Sequence, residues 1–117
     1  MNKDFEEFFK DAPTMEQKEE LLKNNNFMKL DHEKLKYHLL PPLALKKVVG
    51  VLTYGANKYA EENWRNSKKE DYKRMLSATY RHIEAYRSGE YFDNESKYPH
   101  LAHAICNLLF LLELEKV

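Results

Sequence analysis

The sequence is poor in the residues that build disulfide-bonded, low-complexity or sheet-rich proteins. Its single cysteine, Cys106, excludes an internal disulfide framework and a thiolate-rich zinc site. Three glycines and four prolines in 117 residues leave little scope for a loop-rich chain. β-branched residues are sparse beside Leu, Ala, Lys and Glu, the better helix formers, so little or no sheet is expected. Neither sign of charge is in excess: 19 basic residues meet 19 acidic ones, so no global field draws the chain to DNA or an anionic membrane. A membrane span of ~20 apolar residues is also missing. The stretch from Leu101 to Leu112 is interrupted by His103 and Asn107 and reads as a buried helix. No signal peptide is recognisable at the start, and the cytoplasm is the expected compartment.

What is there reads as an all-α compact helical bundle of four to five helices. A chain of this length buries roughly 65 % of its unfolded surface, enough for one core. Residues 1–30 are expected to be a helical appendage, and residues 31–117 a nucleotide-binding helical domain. In the appendage, Asp4 to Phe9 suggests a short helix, Thr14-Met15-Glu16-Gln17 is a capping box opening another, and Asn24-Asn25-Asn26 stops it. Phe5, Phe8, Phe9, Leu21 and Leu22 are its packing residues, against the main body or a second subunit.

Leu40-Pro41-Pro42 predicts an extended entry into a helix from Pro42 to about Tyr59, because the first proline disfavours helix before it and the second suits a first turn. Leu45, Val48, Val49, Leu52 and Ala56 would form its buried face. Gly55 within it costs ~1 kcal/mol relative to alanine, which a kink or the close approach of a helix or ligand would explain. Ser67-Lys68-Lys69-Glu70 is a second capping box, opening a helix that Gly89 ends. Pro99 opens the last helix, apolar on nearly every side, which should be the centre of the bundle. One greasy helix and an amphipathic N-terminus point to a homo-oligomer.

On that last helix His100, His103 and Asn107 are spaced i, i+3, i+7, one polar stripe on an apolar cylinder. A buried donor or acceptor left unpaired costs ~1 to 3 kcal/mol, so the stripe must face protein groups, a cavity, a metal or a ligand. The preceding Asp93-Asn94-Glu95-Ser96 offers oxygen ligands at a helix start, where they either cap the helix or hold the cation accompanying a phosphate. Arg81-His82 places a cation beside an imidazole, and Arg74 reads as a surface ion-pairing residue. Tyr54-Gly55-Ala56-Asn57-Lys58-Tyr59 and Asn63-Trp64-Arg65 combine rings with cations, which serves either a core or the stacking of a base. The Glu-x-x-Glu and Glu-x-x-Asp helices of MazG-type pyrophosphohydrolases are not reproduced: Glu16-Gln17-Lys18-Glu19 matches the first by spacing only, and Asn107-Leu108-Leu109-Phe110 stands in place of the second.

Taken together, Leu40-Pro41-Pro42, Leu52 to Tyr59, Asn63-Trp64, Arg81-His82, Gly89-Glu90, Asp93, Glu95-Ser96, His100 to Ala104 and Asn107 resemble the small phage and bacterial dATP/dGTP diphosphohydrolases, over roughly residues 35–114. The resemblance implies hydrolysis of a purine deoxynucleoside triphosphate to its monophosphate and pyrophosphate with a divalent metal, Mg or Mn. It implies His82, Glu95 and His103 as catalytic residues. Tyr54, Lys58, Asn63, Trp64, Arg81, His100 and Asn107 would bind substrate, and His82, Glu90, Asp93, Glu95 and His103 the metal. Two positions depart from the pattern: His38 stands where an aspartate is expected, and Lys97 replaces a glycine after Glu-Ser. The alternative is a non-catalytic nucleotide-sequestering protein, and a third reading is a purely structural helical protein. Neither nucleic acid nor a membrane is an expected partner.

Overall fold

The computed structural model describes residues 14–23 and 27–116. The helix expected at Asp4 to Phe9, the stop at Asn24 to Asn26 and the packing of Phe5, Phe8, Phe9, Leu21 and Leu22 lie outside the described residues and side chains. The chain divides into two compact units, Met1–Leu39 and Leu40–Val117. In the first, helix α1 spans Met15–Lys23. Its start is the expected capping box, with the Gln17 N–H donating to Thr14 Oγ1 at 3.2 Å and the Thr14 N–H to Gln17 Oε1 at 2.8 Å.

The second unit holds α2 (Pro42–Lys58), α3 (Lys69–Arg87) and α4 (His100–Leu114), with a 3-10 turn at Asn63–Asn66. Among the described residues there is no strand, only an isolated antiparallel bridge between Phe92 and Pro99. Pro41 is extended and Pro42 opens α2, as the two prolines dictate. The start of α3 falls one residue later than expected: the Lys68 N–H donates to Asp71 Oδ2 at 3.0 Å, while the Ser67 hydroxyl donates backward to Trp64 O at 2.6 Å. Ser67 is spent on closing the 3-10 turn, so Asp71 supplies the cap. At the other end Gly89, with φ +101°, allows its own N–H to reach Tyr86 O and that of Glu90 to reach Ala85 O, the paired bonds of a Schellman stop.

As expected, α4 is central, packing against both α2 and α3. The core is made of small residues: Val48 and Val51 of α2 meet Ala102 and Cys106 of α4, flanked by Tyr98 and Phe110. This corrects the face assigned to α2, since Leu45, Val49 and Leu52 remain 36 to 49 % exposed. The helix carries two apolar stripes, and the one with the smaller side chains turns inward because it lets the helices approach closely. Gly50 serves the same approach: a Cβ there would lie 2.3 Å from Cε1 of Tyr98. Gly55, by contrast, has nothing within 4 Å of where a Cβ would stand, so helix packing does not explain it.

Nor is α4 buried all round. His100, Ala102, Ala104 and Cys106 are buried, but Leu101, Ile105, Leu108 and Leu112, spaced i, i+4, i+7, i+11, are 41 to 65 % exposed. None of the helices among the described residues is long and apolar enough to cross a membrane.

Candidate functional site

Between α2, the 3-10 turn, α3 and α4 lies a cleft of about 960 Å³. Of the residues expected to bind substrate or metal or to catalyse, all but Glu90 and His100 line it. Those two stand behind it, holding one of its histidines.

The loop from Gly89 to Pro99 positions the acidic residues. It is pinned at its base by the His100 N–H donating to Tyr91 O and the Asp93 N–H to Tyr98 O, both at 2.8 Å. The His100 amide, the first of α4, is thereby occupied and does not face an anion. Asp93 does not cap α4 either: the N-cap is Pro99, with no side-chain bond. Instead Asp93 caps its own loop, accepting the Ser96 N–H on Oδ2 at 2.8 Å. Lys97, the residue found where the resemblance expects glycine, has φ +66°. That left-handed position is the physical reason for a glycine there.

The floor of this end is a histidine cluster. The rings of His82 on α3 and His103 on α4 stack at 4.6 Å and 10°. His82 Nδ1 and His100 Nδ1 are 2.8 Å apart, and His100 Nε2 is 3.2 Å from Glu90 Oε2. His103 Nε2 lies 2.6 Å from Ser96 Oγ and 3.9 Å from Asp93 Oδ2. His82, Asp93 and His100 place ligand atoms within 4.8 Å of one another, a grouping with the chemistry of a divalent metal site. Burial, reinforced for His82 by the other two imidazoles, holds the pKa of His82 and His103 below the usual histidine value. Burial alone would raise that of Asp93, but the Ser96 N–H, its hydroxyl and the two imidazoles outweigh it, leaving the carboxylate below its ordinary range.

Toward solvent, Lys58 Nζ and Glu95 Oε1 are 2.5 Å apart. This pairing raises the pKa of Lys58 and lowers that of Glu95, while the hydrogen bond to Glu95 raises that of Tyr54. Glu95 is thus turned to Lys58 and Tyr54 rather than to the imidazoles. Arg81 lines the cleft and donates from Nη1 to Ser77 Oγ at 3.2 Å; among the described residues no carboxylate pairs with it. Arg74 forms the expected surface pair, with Asp71 at 3.6 Å.

The far end is aromatic. Trp64 stacks on Phe110 at 4.7 Å and 12°, and the Arg65 guanidinium lies 4.3 Å from its ring centroid. Its stacking partners are therefore internal. Asn63 and Asn107 line the cleft near it.

Sequence reasoning missed Phe110 as a residue of this site and gave Ser96 no role of its own. Ser96 was legible only as part of an acidic loop; its position three residues after Asp93 and seven before His103 acquires meaning once the loop folds back onto α4.

The family model described as "dATP/dGTP diphosphohydrolase, N-terminal" matches residues 24–117. A dATP/dGTP diphosphohydrolase of Salmonella phage PMBT28 is 33 % identical over 87 residues, which cover 74 % of this chain and 29 % of that protein. The chain thus spans less than a third of the length of this relative. No solved structure matches it. With the model covering most of the length, cleft and histidine cluster included, the chain belongs to the dATP/dGTP diphosphohydrolase N-terminal family.

Proposed function

We propose that the cleft receives a purine (deoxy)nucleoside triphosphate and that the chain, with a divalent metal, promotes attack of water at the α-phosphorus. The bond from that phosphorus to the bridging oxygen breaks, and pyrophosphate leaves. The observation that carries this reading is the convergence, in one cleft of a chain of this family, of two stacked imidazoles and a carboxylate with the cations Lys58 and Arg81. Arg81 and Lys58 suit phosphate oxygens, the former because no carboxylate competes for it, the latter because a triphosphate can displace Glu95 from an exposed pair. Asp93 and His82 are the residues that would hold the metal, a hard carboxylate with an imidazole, a donor set that accepts Mn as readily as Mg. The ion supplies Lewis-acid polarisation of a phosphoryl oxygen. The open space over Gly55 admits the nucleotide close to the α2 backbone.

Incubating the pure chain with dATP, dGTP, ATP and GTP in Mg²⁺ or Mn²⁺ is expected to release pyrophosphate from at least one purine nucleotide. No product from any of the four defeats hydrolysis by this chain.

One observation favours a second reading, binding without turnover: the chain spans only 29 % of the Salmonella phage relative, so that protein has room for its chemistry elsewhere. Recovery of intact nucleotide from a stable complex supports it, and turnover removes it. We further propose that the Leu101, Ile105, Leu108 and Leu112 stripe is covered by a second copy of the chain. Its spacing of four and three residues is the seam by which two like helices mesh.

A further inference from the structure

Hydrogen bonds through imidazoles have a direction, and the partners around this cluster fix it. An ionised carboxylate only accepts, so the proton between Glu90 Oε2 and His100 Nε2, 3.2 Å apart, belongs to the imidazole. With Nε2 carrying the proton of neutral His100, its Nδ1 is an acceptor. The 2.8 Å contact between the two Nδ1 atoms is then a donation from His82 to His100. His82 therefore holds its proton on the nitrogen turned to the buried His100, and its Nε2 is a lone pair. Because both ring nitrogens of His100 are engaged, this residue orients His82 instead of taking a ligand of its own.

The second chain of bonds runs the other way. Ser96 Oγ accepts the Tyr98 N–H at 3.2 Å and lies 2.6 Å from His103 Nε2. That short separation fits a hydroxyl donor better than a ring N–H donor, whose contacts centre near 2.9 to 3.0 Å. The Ser96 hydroxyl also interacts with the Asp93 carboxylate, but its short 2.6 Å contact is with His103 Nε2, and on that contact the proton is placed between Oγ and the ring. His103 Nε2 is thus capped by Ser96, and the ring proton sits on Nδ1.

We infer that Glu90, His100 and Ser96 are positioning residues that give the two stacked cleft histidines opposite polarity, His82 offering a bare Nε2 and His103 an Nδ1–H. A bare Nε2 takes a proton or holds a cation; an Nδ1–H donates to an anionic oxygen such as that of a phosphoryl group. One imidazole is a base or ligand, the other an electrostatic donor, although they stack face to face and look alike in the sequence. The use of this polarity in hydrolysis rests on the proposed function; the polarity itself does not.

The test is long-range ¹H–¹⁵N correlation NMR of the uniformly labelled full chain near pH 8, which reads the tautomer of each histidine. The expected pattern is Nδ1–H for His82 and His103 and Nε2–H for His100. In Ser96→Ala, His103 is expected to shift toward Nε2–H while His82 keeps its signature, and Ser96→Thr, which retains the hydroxyl, is expected to restore the pattern. An Nε2–H His103 or a doubly protonated His100 in the unmodified chain overturns the inference, as does a Ser96→Ala chain with unchanged tautomers. Where the chain turns over nucleotide, Ser96→Ala lowers kcat about 10- to 100-fold, the usual effect of losing such an orienting partner. Absent turnover defeats the hydrolytic reading and leaves the tautomers to decide this inference. Wrong tautomers with full turnover defeat this inference alone.

Discussion

The two faces of α4 contrast sharply although one apolar sequence makes both. The inward face presents small residues, Ala102 and Cys106, against α2, and the imidazoles of His100 and His103 against α3 and the acidic loop. No buried side-chain nitrogen or oxygen among the described residues lacks a partner. Even the Cys106 thiol donates to Val48 O at 3.4 Å, and burial pushes its pKa up to about 11, so it is packing material and not a nucleophile. The outward face presents larger side chains, Leu101, Ile105, Leu108 and Leu112, which remain 41 to 65 % exposed among the described residues. Small residues turn inward because they allow close helix contact and leave room for a polar cluster. Large ones turn outward, where the proposed second copy would bury them.

The largest expected effect breaks the inward side. His82→Ala removes the imidazole that offers its lone pair to the cleft, and kcat for pyrophosphate release is expected to fall by about 10² to 10⁴, the range for losing a positioned acid–base group. A fall of less than tenfold places the chemistry elsewhere. On the outward side, Leu108→Glu puts a charge at the centre of the stripe, and light scattering is expected to find the variant at monomer mass while the unmodified chain is larger. Equal masses break the comparison, because the outer stripe then serves no contact between copies.

The smallest effect concerns pH. His82 and His103 titrate below the ordinary histidine value of 6.5 in the folded chain, burial being the main cause, so the unfolded state takes up protons first as the pH falls. Stability from these groups is complete above pH 6.5 and is lost as the pH drops from there through their folded values. Asp93, also depressed, adds a further loss at lower pH. The melting temperature is therefore expected to decline progressively on acidification from pH 7 to 5. In a chain with His82 and His103 both replaced by Asn, the part of the decline just below pH 6.5 should disappear; an unchanged curve assigns it to other groups.

Local signals made most of the secondary structure legible. Pro42, Gly89 and Pro99 mark helix ends because each acts through its own backbone: proline by its fixed φ and missing N–H, glycine by its tolerance of positive φ. The Thr14 cap was readable for the same reason, whereas the Ser67 cap was not, because that hydroxyl had a competing acceptor in the turn before it. Much of the lining of the cleft was readable too, since chemistry-bearing residues on an apolar helix must face something polar. Their pairing was not. That Glu95 belongs to Lys58, that Trp64 stacks on Phe110 and that Ser96 caps His103 depend on contacts between segments separated in the chain or folded back by a loop.

By itself, then, the sequence determined that this chain is helical, where α2 begins and α3 ends, and that His100, His103 and Asn107 share one side of the last helix, because capping, backbone restriction and the 3.6-residue turn operate within a few residues. Only the tertiary structure decided which apolar stripe is core, which acidic residue meets which cation, and which ring nitrogen each histidine turns to the cleft. Those outcomes depend on which surfaces approach closest and on which donor finds which acceptor, and neither is written in spacing along the chain.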